Sequence, residues 1–248
     1  MIETATEIPT PDGAADGLLI QPEKEGCWPG VLYLTYFAGI DDASRSMASR
    51  LAAEGYAMLL PNIFYRNGKP PIFDFPFQIG DARSVKRMNE VRGPLTPEAM
   101  DRDVSAYVDC LARQPGVRGK AFGVVGFGVS AQMALRAAGV RSDQIAAAAS
   151  FDGGGGACTE APGSPLTLLP HVKAHLYFGH SAEDRVMPQH VIETLDRALA
   201  AWGGDYETEV YQAQHGWTVP DSPTYNAPQA ERAYKKPTDL LNSTLKRN

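Results

Sequence analysis

The side chains best suited to chemistry stand in two short segments, YFGHSAEDRVMP (177–188) and YQAQHGWTVPD (211–221). The first carries Asp184 and the second His215. A histidine whose Nδ1–H is held by a carboxylate keeps Nε2 free to take or give a proton near neutral pH. A third segment, GVVGFGVSAQMALRAAG (123–139), reads as a buried strand, a glycine-rich turn and a helix of good formers. A strand that turns sharply into a helix is one place where a nucleophilic Ser or Cys is mounted. The centre of this turn, Gly126-Phe127-Gly128-Val129-Ser130, is Gly128, which has no side chain. Ser130 lies two residues on, about 200° round the helix. Its hydroxyl is therefore expected to bond within the first helical turn and not to replace the missing nucleophile.

These residues need elements that bring them together. Apolar runs predict strands at 30–34, 56–60, 122–125, 145–151, 174–178 and 206–211. Helical periodicity fills the intervals at 42–54, 131–138, 189–202 and 231–245, with Gly55 closing the first. Another helix opens at Thr96-Pro97-Glu98: N-cap, proline at N1, acid in the first turn. Alternating strands and helices predict an α/β fold with a mainly parallel central sheet and helices on both faces. Turn, acid and histidine each follow a strand, and the carboxyl ends of parallel strands are where such sheets place their sites. Residues 62–95, containing NIFYRNGKPPIFDFPFQIG, read as a long irregular cap wall over the pocket, with Phe64 among the residues facing substrate. Without a repeat, linker or low-complexity tract, the chain is expected to be one domain, 1–248.

Composition bounds the partners. The net charge is −6 and no basic run exceeds Lys235-Lys236, which argues against nucleic acid. No apolar run approaches the roughly 18 residues of a membrane span. The first residues, MIETATEIPTPDG, are too polar and acidic for a signal peptide. Three scattered cysteines, Cys27, Cys110 and Cys158, form no CxxC pair. They fit a reduced, cytoplasmic setting without disulfides or a zinc site. His175 and His180 lie near Asp184 in sequence, but too few convergent ligands accompany them, so no metal and no cofactor is expected.

The three segments, with AAAASFDGG (146–154) and RLAAEGYAMLLPNIFYR (50–66), resemble the dienelactone hydrolase family over almost the whole chain. The resemblance implies the α/β-hydrolase fold. It puts Gly128 at the nucleophile position, Asp184 at the acid and His215 at the base. It also implies the backbone N–H groups of Val129 and Phe37 as oxyanion donors. Tyr36 takes the place where family members carry a Glu beside the resting thiol, and Ser130 replaces the usual closing glycine. Asp152 is expected either to line the pocket or to cap its turn, and Trp217 either to wall the pocket or to sit in the core. Lys86 and Arg87 read as surface charge. The expected partner is a small-molecule ester, lactone or related carbonyl compound, met by a monomer or homodimer. Without a nucleophile, the native chemistry is expected to be non-covalent acid–base work by His215 and Asp184. The alternatives are a nucleophile-less variant of an ordinary Cys or Ser hydrolase and a non-catalytic small-molecule-binding protein.

Overall fold

A computed structural model of the chain describes residues 1–153, 159 and 161–246. Its strands are β1 (Ile2–Thr10), β2 (Gly13–Gln21), β3 (Trp28–Leu34), β4 (Ala57–Pro61), β5 (Val117–Phe127), β6 (Ile145–Phe151), β7 (His175–Glu183) and β8 (Tyr206–Gln214). They form one sheet in the order β1-β2-β4-β3-β5-β6-β7-β8. β1 and β2 pair antiparallel, as do β2 and β4; every other pairing is parallel. The helices are α1 (Asp42–Ala53), α2 (Ala82–Arg92), α3 (Pro97–Ala112), α4 (Ala131–Val140), α5 (Gln189–Trp202) and α6 (Ala227–Leu245). None is long and apolar enough to cross a membrane. The architecture is the expected α/β-hydrolase fold.

The central strands are buried on both sides, and strand alternation sorts their residues between two cores. Leu32, Val124, Ala148 and Leu176 pack with α3, α4 and α5. Their neighbours Val31, Val125, Ala149 and Tyr177 pack with α1 and α6 on the other side. Such double burial explains why these strands read as continuous apolar runs. The Thr96 hydroxyl accepts from Ala99 N as α3 starts, and Gly55 follows α1 at φ +90°, as their sequences predict.

Two regions differ from the sequence reading. The N-terminal hairpin β1–β2 is not signalled, because β1 is an edge strand whose one buried residue is Ile8. Inside the segment read as irregular, residues 82–92 form α2. Its only buried residues are Ser84 and Val91, so it shows no apolar stripe. Its cues are local: Asp81 as N-cap, accepting from Ser84 N, and Gly93 after the last turn.

One buried ion pair fastens the start of that segment to the body. Arg66 donates to both oxygens of Asp103 at 2.7 and 2.8 Å, and the Tyr65 hydroxyl donates to the same carboxylate at 2.9 Å. The Asp103 side chain is 0% exposed. Removing the guanidinium strands a buried carboxylate, which costs about 3–5 kcal/mol. We expect Arg66→Met to lower the urea midpoint accordingly with an unchanged slope. A loss under about 1 kcal/mol would place the pair with surface ion pairs instead.

Candidate active site

The elbow between β5 and α4 is built from glycines for steric reasons that can be stated residue by residue. A Cβ on Gly126 would lie 2.7 Å from Ser130 O and 3.1 Å from Ala131 Cα, so no side chain fits there. Gly128 has φ +54°, the left-handed region that glycine enters without a Cβ penalty. Residues 128–130 make one 3₁₀ turn before α4 begins. The first N–H groups of such a helix lack intrahelical acceptors. Ser130 is fully buried. Its hydroxyl donates to Leu34 O at 2.8 Å and accepts from Phe127 N at 3.1 Å, clamping the elbow to the end of β3. The contact with Phe127 is the first-turn bond expected of it; the bond to Leu34 O reaches outside the turn.

His215 follows β8. Its carbonyl accepts from the Thr224 hydroxyl at 2.7 Å, which holds the loop. Its Nδ1 lies 2.9 Å from Asp184 Oδ2, and its Nε2 lies 3.9 Å from where a Cβ of residue 128 would stand. Among the described residues, and apart from the elbow's own chain, no other heavy atom lies within 4 Å of that Cβ position. Among the described residues no Ser or Cys hydrogen-bonds to His215 Nε2. Cys27 is exposed, Cys110 is buried beside Gln114, and Cys158 lies outside the described residues. The sequence-expected trio of Gly128, Asp184 and His215 therefore meets at one point.

The Asp184 side chain is 1% exposed and fully engaged. Oδ1 accepts from Val186 N and Met187 N at 2.7 and 3.0 Å; Oδ2 also lies 3.1 Å from the Ser181 hydroxyl. Burial opposes its ionisation, but the bond and charge of His215 and the two backbone donors outweigh that and hold the carboxyl below its ordinary value. Asp152 is the second acid. It lines the cavity, one of its two expected roles, and its Oδ2 accepts from Gly216 N in the histidine loop, 64 residues on, at 2.7 Å. Its Oδ1 lies 4.0 Å from His215 Nδ1 and 3.0 Å from Ser181 Oγ. Burial pushes this carboxyl up to about 7, against the lowering charge of His215 and the bond from Gly216 N. The Ser181 hydroxyl has one proton and faces two carboxylate oxygens. A proton on Asp152 lets both contacts be hydrogen bonds. Ser181 carries no sequence signal beyond standing three residues before Asp184.

Burial works against the His215 cation, yet the bond to Asp184 and the charge of Asp152 raise its pKa above the ordinary value. Its free-base form thus appears at higher pH than in an isolated imidazole. If His215 is the working base, the acid limb of the rate profile should have its midpoint above about 6.5. Asp152→Asn removes one source of that upward shift, so the limb should move to lower pH. An unmoved limb in that variant would show that Asp152 does not act on the imidazole. Among the described residues Asp152, Asp184 and His215 are also the one His/Cys/Asp/Glu group tight enough to suit a cation. Every carboxylate oxygen in it already faces an N–H or O–H donor, which suits proton handling better.

The cavity over this point has a volume of about 940 Å³. Tyr36, Phe37, Val129 and Asp152 line it as expected. The Tyr36 hydroxyl donates to Asp41; burial and that carboxylate both push its pKa well above the ordinary range. Two expected lining residues are corrected. Phe64 is 1% exposed and packs in the core under the sheet, because its N–H bonds to Asn62 Oδ1 in a tight turn that sends the ring inward. Trp217 is 0% exposed and stacks on Tyr211 at 5.1 Å; the turn at Gly216, φ +86°, directs it away from the cavity. The cap wall instead presents Phe73, Phe75 and Phe77. Arg87 braces it, donating to Ile72 O at 3.0 Å and Asn67 O at 3.2 Å, while Lys86 is exposed. Of the other histidines, His180 is buried against Phe178, and His175 is half-buried beside Asp205 and Glu207.

Comparison with known proteins gives a consistent picture. Residues 15–245 match the profile of the dienelactone hydrolase family. A Synechocystis protein provisionally named carboxymethylenebutenolidase is 25% identical over 98% of this chain and 97% of its own. A Klebsiella pneumoniae structure provisionally named dienelactone hydrolase superposes with a TM-score of 0.83, at 20% identity, covering 100% of this chain and 99% of that one. A dienelactone-hydrolase-like promiscuous phosphotriesterase from metagenomic libraries superposes at 0.78, with 21% identity, covering 98% and 99%.

Proposed function

The chain belongs to the dienelactone hydrolase family, and from that premise we propose that it opens a lactone or ester by non-covalent acid–base catalysis. The observation that carries this reading is the direction of His215. Its Nδ1 is anchored by Asp184, and its Nε2 faces the empty side-chain position of Gly128. In the proposed reaction a water takes that position. His215 Nε2 accepts its proton as the oxygen bonds to the carbonyl carbon. The carbonyl oxygen, now negative, accepts from the N–H groups of Val129 and Phe37. Collapse of the tetrahedral species breaks the C–O bond to the leaving alkoxide, which takes the proton back from Nε2. Asp184 holds the tautomer throughout, and Asp152 adds charge control through Ser181 and its nearness to Nδ1. The whole chain, 1–248, acts as one unit with a small-molecule substrate. A pure binding protein would gain nothing from two buried acids arranged around an imidazole.

The test is intact-mass measurement of the protein while it turns over an activated aryl ester. The expected result is multiple turnover with no added acyl mass. An acyl adduct on the native chain during turnover would overturn the non-covalent reading.

A further inference from the structure

We infer that the ligand of this cavity is a flat, uncharged, fused-ring aromatic lactone or ester, and not a small carboxylated lactone. The inference rests on the proposed function only for which end of the ligand faces His215; the binding argument stands on the walls.

The first observation is the wall itself. In Phe73-Asp74-Phe75-Pro76-Phe77 the three phenylalanines are half-buried while Asp74 and Pro76 are exposed. That alternation turns all three rings away from solvent, and all three line the cavity. Those rings are joined into one surface with the loop after β3. Phe37 meets Phe77 with centroids 4.4 Å apart, and Phe73 meets Phe77 at 5.2 Å and Phe75 at 5.7 Å. Tyr36 continues the surface from Phe37 at 5.1 Å, towards the elbow. The Arg83 guanidinium stacks on Phe75 at 3.8 Å, fixing the outer end. An aromatic surface of this extent prefers another π-face in offset or edge contact.

The second observation is size. About 940 Å³ is near the top of the roughly 300–1,000 Å³ range of ligand pockets. A one-ring lactone would leave most of the aromatic surface wet.

The third is charge. Asp41, Asp42, Asp152 and Asp221 line the cavity, against Arg92 and His215. Arg92 sits exposed at the end of α2, and the Asp42 side chain is fully exposed. A ligand carboxylate would find no buried guanidinium among the described lining residues to receive it.

The test is calorimetric titration of the full chain with two probes. One is benzo[c]chromen-6-one, a neutral three-ring lactone. The other is the small anion 2-(5-oxofuran-2-ylidene)acetate. The tricyclic lactone should bind at least about tenfold more tightly. Phe77→Ala should weaken its binding about tenfold, and Phe77→Leu, which keeps apolar volume but loses the π-face, by an intermediate factor. Tighter binding of the small anion, or equal binding of the tricycle by native chain and both Phe77 variants, would overturn the inference. Failure of the acid–base reading shows elsewhere, as unchanged ester turnover in His215→Ala, so the two failures are read on different instruments.

Discussion

His215→Ala should bring turnover down about 10²–10⁴-fold, the usual worth of a positioned acid–base group, while ligand affinity changes less than about tenfold. The separation follows from where the imidazole sits. It is half-buried at the mouth of the space over Gly128, and the cavity's area lies in the aromatic wall beyond it. Removing the ring therefore deletes a proton carrier and little contact surface. Asp184→Asn should follow in the same direction with a smaller loss, since an amide in place of Oδ2 disturbs the tautomer but leaves the ring. Rate and affinity must be read on the same preparations. Parental turnover in His215→Ala would rule out acid–base chemistry at this point.

Gly128→Cys and Gly128→Ser should gain what the proposed native reaction omits: a covalent acyl adduct with an activated ester, seen as added mass and an initial burst. Beyond the elbow's own chain, among the described residues, a Cβ at 128 meets His215 Nε2 alone, at 3.9 Å, so the new thiol or hydroxyl has room and a base beside it. The gain comes with a cost. A side chain at φ +54° adds strain of about 1–3 kcal/mol, so melting should fall by several degrees. Tyr36, its hydroxyl committed to Asp41, offers the thiol no carboxylate partner, which keeps the gain modest. If neither variant is acylated, the turn at 126–130 is not a vacant nucleophile site.

What could be read from the sequence, and what could not, divides along a physical line. Helix 189–202 and the N-terminus of α3 were legible because their apolar stripe and capping residues are local signals. The meeting of Gly128, Asp184 and His215 was legible because each ends a parallel strand, and neighbouring strands bring their carboxyl ends together. β1 and α2 were not, since each buries almost nothing and periodicity reports burial. Phe64 and Trp217 show the same limit from the other side. Phe64 stands in the cap segment and Trp217 two residues after His215, but each faces the way one turn sends it, and both turns send it inward. Ser181 was invisible because its importance lies in two acids 29 residues and 3 residues away that only the fold brings to its hydroxyl.

The bare elbow has a pharmacological consequence. Fluorophosphonates, β-lactones and haloacetamides disable hydrolases by seizing a nucleophilic oxygen or sulfur at the tip of this turn. Gly128 offers them only hydrogen, and the neighbouring Ser130 hydroxyl is buried and occupied by Leu34 O. A proteome profiled with such electrophiles would leave this protein dark at its elbow. Suicide inhibitors aimed at such a nucleophile would pass through this cavity as reversible guests.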